Sequence, residues 1–452
     1  MEYIINTPCG PIKGTKCRIE NVIAYKGIRY ATANRFEYPI EVTSWDGIYD
    51  ATKYGNCSYQ PRSFYDEEKM IKKVFYYNEF RKNEEYTYSE DCLFLNIWTP
   101  SSSNSNDNLP VIIYIHGGGF TGGCGHEKHF DCPNWPTKGV IGVTINYRLG
   151  PLGFLCLDEL KNEENIVGNY GLYDQLTAIK WIKNNIKSFG GNPDNITIMG
   201  QSAGAMSVQQ LVLSDLTKGL FSKAIMSSGG GVSSLMNTPK PEKYYKFWNK
   251  VKELTKASSI TEFKQIPVEQ LFTAWNQAKN ELKMMGMPPA CVIDSKLITD
   301  TSTNLLKNNK QHNIPYMLGS NSEDIIPPLI YSMSKKWCMN QKTPSYLWFF
   351  NHQLPGDNCG AWHSSDLWYW FGTLDNCWRP LTDEDYKLSN IMTTYLTNFA
   401  KTGNPNDEDL VNWESITKSQ KLPINFNNNI QMKKVNTIKL WYTMFTNKAV
   451  GE

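Results

Sequence analysis

The sequence predicts a layered α/β fold, with a mostly parallel central sheet and helices on both faces, and three observations carry that prediction. Strand-length apolar runs recur along the chain, each followed by Gly, Asn or Pro. Several are continuously apolar rather than alternating, which marks strands covered on both faces. Between them runs a long apolar stripe at helical period, and strands that alternate with helices pair in parallel through crossovers.

Taken in order, "LFLNIWTP" (93–100), "VIIYIHG" (111–117) and "VIGVTINYR" (140–148) read as the first central strands. The helix follows: Leu172, Leu176, Ile179, Ile182, Ile186 and Phe189 fall three or four residues apart, and Gly190 and Gly191 stop it. "FGGNPDNITIM" is then a helix end, a turn and a new strand, "ITIM" at 196–199. A second helix is expected to begin at Ser202 or Ala203. The strands "AIMSSG" (224–229) and "PYMLGS" (315–320) come next, and a third helix spans about 384–400, ended by "KTGNP". Residues 241–290 break the rhythm; charged and helical in pattern, they predict an insertion of helices over the sheet. With no internal repeat and no long low-complexity linker, one domain over 1–452 is the expectation.

Composition removes several classes of function. Lys plus Arg is 46 and Asp plus Glu is 44, a formal +2, so no broad field attracts nucleic acid or anionic membranes. The 40% hydrophobic and 13% aromatic content suits a globular core. No 18-residue apolar run is present, so no membrane span is expected, and "MEYIINTPCGPIKG" lacks the basic and apolar regions of a secretory signal. The eleven cysteines are scattered without a C-x-x-C pair, so neither a disulfide framework nor a zinc ribbon follows from spacing. Reduced thiols in a cytoplasm are the expectation.

Chemistry enters with "NITIMGQSAGAMSV" (195–208), where an apolar run stops at Gly200, shows Ser202 between small neighbours, and resumes in a helical pattern. "GQSAG" fits G-x-S-x-G in the strand–turn–helix context that a nucleophile elbow needs. A serine at such an apex holds an unfavourable backbone, and side chains at 200 or 204 would collide with the neighbouring helix and strand. The competing reading is an ordinary serine cap on a flexible glycine turn. "YIHGGGF" (114–120) ends a strand in three glycines, whose backbone N–H groups are free to face a developing oxyanion. A phosphate-binding turn fits less well, because no Lys-Ser/Thr or G-x-G-x-x-G accompanies it.

Five motifs, "EDCLFLNIWTP" (90–100), "HGGGF" (116–120), "NYRLGPLGF" (146–154), "GNYGLYDQLTAIKWIKNNIKSFGGNP" (168–193) and "GQSAGAMSV" (200–208), stand in the order and spacing of the type-B carboxylesterases, the cholinesterase-like branch of the α/β hydrolases. "GPIKG" (10–14) and "AYKGIRYA" (24–31) resemble that family too. The resemblance implies an α/β-hydrolase fold, Ser202 as nucleophile, and the backbones of Gly118, Gly119 and Ala203 as oxyanion hole. Gln201 departs from the family's usual Glu. The C-terminal part is shorter than in animal cholinesterases, so their deep aromatic gorge is not expected.

The base and acid follow from chain order in this fold: nucleophile, acid, base. Of six histidines only His352 and His363 lie late enough. "GAWHSSDL" (360–367) resembles the family's histidine segment and selects His363, with His352 as fallback. "YMLGSNSEDI" (316–325) is a strand ending in adjacent carboxylates, and the family's acid falls on Asp324, with Glu323 the alternative. The family's usual Glu and Gly are here Asp324 and Ile325. The aromatics around His363 are expected mostly in the core, with Trp362, and Phe120 beside the oxyanion loop, as candidate pocket walls. Cys57 and Cys92 match a disulfide of secreted relatives; the sequons at Asn56 and Asn195 are read as accidental.

The expected activity is hydrolysis of a small carboxylic ester through an acyl-enzyme on Ser202, with no metal and no organic cofactor. Two alternatives stand: the same mechanism on amides, thioesters or carbamates, or a non-catalytic binding protein on this scaffold.

Overall fold

The computed structural model describes residues 3–69, 74–284 and 289–446; the predicted insertion's residues 285–288 and the predicted domain's ends, 1–2 and 447–452, lie outside them. Among the described residues thirteen strands join in one sheet. Four lead in: β1 (Tyr3–Thr7), β2 (Gly10–Lys16), β3 (Val22–Arg29) and the short β4 (Tyr49–Asp50), which pairs with β2. The remainder are β5 (Phe94–Pro100), β6 (Leu109–Ile115), β7 (Ile141–Ile145), β8 (Gly191–Gln201), β9 (Lys223–Ser227), β10 (Tyr316–Asn321), β11 (Ser345–Phe350), β12 (Ile424–Phe426) and β13 (Gln431–Met432).

The strand order is β1-β2-β3-β5-β7-β6-β8-β9-β10-β11-β12-β13. Along this order pairing is parallel from β7 through β12 and antiparallel at both ends, while the short β4 lies parallel to β2. The six predicted strands are therefore present, within a few residues at each end. The antiparallel lead-in and β11 to β13 extend the sheet beyond them. One local reading changes: "GGNPDN" is not a free turn, because β8 begins at Gly191 and absorbs the segment as an irregularity opposite Leu109 and Val111.

Side-chain alternation on β6 separates the two faces. Val111, Ile113 and Ile115 pack with α1 (Tyr170–Asn185) and α2 (Ala203–Leu213). Ile112 and Tyr114 point to the opposite core. All six residues of the predicted α1 stripe are at most 4% exposed, each such burial contributing about 1.5–3 kcal/mol. A 3₁₀ turn (Ile186–Phe189) finishes that helix, and Gly190 closes it at φ 88°, its N–H bonded to Ile186.

The insertion is helical as expected: α3 (Glu242–Leu254), α4 (Ile260–Gln265) and α5 (Val268–Glu281). Its placement differs. Phe247, Trp248, Phe263, Phe272 and Trp275 share a core with Leu152, Leu155 and Tyr170, so these helices lie on the segment leading into α1 rather than on the strands. After β10 comes α6 (Pro327–Met339), and the far face of the sheet is covered by α7 (Leu367–Phe371) and α8 (Asp383–Thr402). Thr382 and Asp385 form a capping box at the start of α8, and Gly403, at φ 81°, ends it. No helix among the described residues is long and apolar enough to cross a membrane.

The cysteines correct one expectation. Cys17 and Cys132 are disulfide-bonded with Cα atoms 6.5 Å apart, within the reach of a bridge, so the thiols are not all reduced. Cys57 and Cys92 are both free and buried. The Cys57 sulfur instead lies 3.5 Å from His126 Nε2, because strand pairing of Cys57–Ser58 with Tyr88–Ser89 sets the Cys57 side chain against the loop that carries Cys124 and His126.

Candidate active site

The strand β8 enters the centre of the sheet and hands over directly to α2 at Ser202, whose backbone sits at φ 55°, ψ −123°. Such a conformation costs about 1–3 kcal/mol for a non-glycine residue, and packing on both sides holds it. A Cβ on Gly200 would lie 2.3 Å from the Gly204 carbonyl, and a Cβ on Gly204 would lie 2.0 Å from the Ile115 carbonyl oxygen of β6. Glycine is thus required at 200 to clear the helix and at 204 to clear the strand. The Ser202 N–H donates to the Ser227 carbonyl at 2.9 Å, pinning the turn to the end of β9.

Ser202 stands at the N-cap of α2, yet its side chain makes no cap hydrogen bond. The ordinary-cap reading therefore does not describe it. Among the described residues its hydroxyl has no hydrogen-bond partner, and the residue is partly exposed.

The glycine loop after β6 abuts this turn. A Cβ on Gly117 would meet the Ser202 Cβ at 3.0 Å. Gly118 and Gly119 lie at φ 98° and 63°, and a Cβ on Gly118 would be 2.1 Å from the Gly122 carbonyl oxygen. Among the described residues the N–H groups of Gly118, Gly119 and Ala203 donate to no protein acceptor. Ala203 begins α2, so its N–H also carries the positive end of the helix dipole. The loop is braced by Gln60, which accepts from Gly123 N–H at 2.9 Å and donates to its carbonyl at 3.1 Å.

His363 and Asp324 are brought together from loops after β11 and β10. His363 Nδ1 contacts Asp324 Oδ1, with both residues buried. Asp324 Oδ2 accepts the Asn321 N–H at 3.1 Å, and Oδ1 the Ile325 N–H at 3.2 Å. Glu323 turns elsewhere, accepting the Ala361 N–H at 2.7 Å and contacting the Ser322 hydroxyl. On the other ring nitrogen of His363, Gln201 Nε2 stands at 3.2 Å. His352 belongs to a separate network: its Nε2 is 2.7 Å from Asp385, which also receives the Tyr369 hydroxyl and caps α8.

Three positions in the histidine's surroundings escaped the reading of the motifs. The Asn321 amide donates to the Trp362 carbonyl at 2.8 Å and to Asp366 at 3.2 Å. Asp366 also accepts from the Ser227 hydroxyl at 2.8 Å and Trp370 Nε1 at 3.1 Å. Burial raises the Asp366 carboxyl above its usual range even though the Ser227 and Asn321 hydrogen bonds oppose this. The signal available was the acidic residue three positions after His363; nothing local pointed to Ser227 or Asn321.

The proposed pocket rings are both inside. Phe120, at φ 60°, packs on Phe154 with ring centroids 4.9 Å apart. Trp362 is fully buried against Phe75, Tyr76 and Phe80. Of the other aromatics near His363, residues 368–371 are buried as expected, whereas Trp378 is 51% exposed.

Loops after β8, β10 and β11 supply Ser202, Asp324 and His363 in that order, the arrangement of the α/β hydrolases. The chain is an enzyme of the carboxylesterase family, whose model matches residues 1–341 and 328–441. It is 30% identical to the para-nitrobenzyl esterase of Bacillus subtilis (strain 168), over 91% of this chain and 92% of that protein. It is 29% identical to the bile salt-activated lipase of Mus musculus, over 86% of this chain and 76% of that one. Among solved structures, a thermophilic PNB esterase superposes with a TM-score of 0.83 at 27% identity, covering 95% of this chain and 97% of its own.

Proposed function

We propose that the protein hydrolyses small carboxylic esters through an acyl-enzyme on Ser202, with His363 as general base and Asp324 as its carboxylate partner. In this reading the Ser202 oxygen attacks the ester carbonyl while His363 Nε2 takes its proton. Asp324, against Nδ1, orients the ring and stabilises the imidazolium without accepting the proton. The N–H groups of Gly118, Gly119 and Ala203 receive the developing oxyanion, each such donor contributing about 3–4 kcal/mol to the transition state. The imidazolium returns its proton to the departing alkoxide, and water repeats the sequence to release the acid.

The observation that carries the proposal is the combination at Ser202 of a strained backbone and a hydroxyl withheld from helix capping. The His363–Asp324 contact supports Asp324 over Glu323, whose carboxylate is engaged by Ala361 and Ser322. Gln201 occupies the face of His363 Nε2, so its amide must yield when the serine hydroxyl swings to the ring.

The test is Ser202→Ala. Turnover of aryl acetates and butyrates is expected to disappear with the fold intact, and an organophosphonate is expected to label the wild type stoichiometrically and the variant not at all. An alanine variant that keeps most of its activity overturns the mechanism.

A further inference from the structure

Beside the oxyanion loop, and separate from Ser202 and His363, two sulfurs and an imidazole converge. Cys57 Sγ, Cys124 Sγ and a ring nitrogen of His126 all lie within 4.8 Å of one another. All three residues are buried, at 0%, 1% and 7% exposure. We propose that Cys57, Cys124 and His126 bind one zinc ion.

One ligand separation matches the coordination distance, and the other two lie within 4.8 Å. A zinc with bonds of about 2.3 Å to sulfur and about 2.05 Å to imidazole nitrogen, at the tetrahedral angle, separates those two atoms by about 3.6 Å. Cys57 Sγ and His126 Nε2 are 3.5 Å apart. A set of two thiolates and one imidazole is soft and selects zinc over the hard cations that prefer oxygen ligands.

The ligands also sit on a braced scaffold. Asn146 accepts from the Gly125 N–H at 2.7 Å and donates to the Asn56 carbonyl at 2.9 Å, so one side chain ties the residue between Cys124 and His126 to the residue before Cys57. Gln60 repeats the tie one step outward, donating at 3.1 Å to both the Ser58 and Gly123 carbonyls. The His126 ring stacks on Tyr54 at 4.5 Å with an interplanar angle of 9°, which fixes its direction. Little reorganisation is left for the metal to drive.

Three protein ligands leave a fourth tetrahedral position for water. The neighbouring Tyr86 offers a partner for it: its ring centroid is 5.6 Å from that of His126, and its buried hydroxyl has no hydrogen-bond partner among the described residues. Both sulfurs must bind as thiolates and the imidazole as the neutral ring, so zinc affinity falls as pH is lowered. The bound ion would clamp the segment just after Gly123 to the Cys57–Ser58 strand. This proposal does not depend on the catalytic reading, since it concerns different residues and has its own readout.

The test uses full-length, tag-free protein kept reduced, stripped with chelator, then titrated with cobalt(II) and, separately, with zinc. Expected are one cobalt per chain with thiolate-to-cobalt charge-transfer absorption and tetrahedral ligand-field bands, displacement of cobalt by zinc, and a higher thermal midpoint with zinc bound. Cys57→Ser, Cys124→Ser and His126→Gln are each expected to lose the charge-transfer band or the stoichiometric zinc, while Cys359→Ser keeps both. Wild-type protein that binds neither metal stoichiometrically overturns the proposal even if the variants fail to fold. A disulfide between Cys57 and Cys124 in protein as isolated without reductant, with no zinc uptake after reduction, overturns it equally, as does undiminished zinc in the folded variants.

Discussion

Replacing Asp324 with asparagine, beside Glu323 with glutamine, separates two adjacent carboxylates by what each one faces. Three donors converge on Asp324: His363 Nδ1 and the Ile325 N–H at Oδ1, and the Asn321 N–H at Oδ2. An amide offers one acceptor and one NH₂, so in Asp324→Asn no orientation of the new side chain satisfies both sides. If the NH₂ faces the backbone, a buried N–H loses its acceptor. If it faces the imidazole, the ring must shed its Nδ1 proton and carry one on Nε2, the tautomer that is unable to take a proton from Ser202. Such a carboxylate-to-amide change lowers kcat by about 10⁴-fold where the geometry is kept, equivalent to about 5.4 kcal/mol of transition-state free energy.

Glu323→Gln behaves differently, because a simple rotation keeps an amide oxygen on the Ala361 N–H, 2.7 Å from the present carboxylate. Its expected loss is below about tenfold, the cost of one weakened hydrogen bond. The assay is kcat on an aryl butyrate for both variants, with circular dichroism and thermal melts to establish that each is folded. Equal losses, or a greater loss in Glu323→Gln, would refute the assignment of Asp324.

Three further outcomes are expected. Gly204→Ala drives a Cβ to 2.0 Å from the Ile115 carbonyl oxygen, so stability falls by about 3 kcal/mol or more; an unchanged thermal midpoint contradicts the elbow packing. Gln201→Glu sets a carboxylate where an amide nitrogen stands 3.2 Å from His363 Nε2; this favours the imidazolium, and the acid limb of the kcat/KM profile moves up by about one pH unit, which a profile matching the wild type would contradict. Burial alone would raise the Asp385 carboxyl, but hydrogen bonds from His352, Tyr369 and Thr382 hold it well below the carboxylate range. A lowered folded-state value means stability that is present above the unfolded value of about 4 and lost as pH falls below it. Asp385→Asn should therefore cost about 3 kcal/mol at neutral pH, with the gap to wild type closing in acid melts, and esterase turnover surviving; a pH-independent gap contradicts this account.

Much of this molecule follows from short-range rules. The stripe from Leu172 to Phe189 buries as a helix because its spacing matches the helical period. The turn at Ser202 follows from two glycines whose missing Cβ atoms are sterically required, and His363 was selected by a motif and by chain order. The helical stripe and the Gly200–Gly204 contact are local, so sequence by itself determined them; the clash of a Cβ at 204 with Ile115 and the meeting of His363 with Asp324 are not local.

Which distant side chains meet was decided only by the tertiary structure. The family resemblance places the acid on Asp324 and leaves Glu323 as the alternative; in the tertiary structure the Asp324 carboxylate faces His363 and the Asn321 N–H, while that of Glu323 faces the Ala361 N–H. Cys57 faces Cys124 and His126 rather than Cys92, and Cys17 bonds Cys132, across 115 residues of chain. Asp366 reaches Ser227 and Asn321, and Gln201 reaches His363, through the same long-range assembly. Those contacts depend on strand order and crossover packing, a cooperative solution of the whole core that no local pattern encodes.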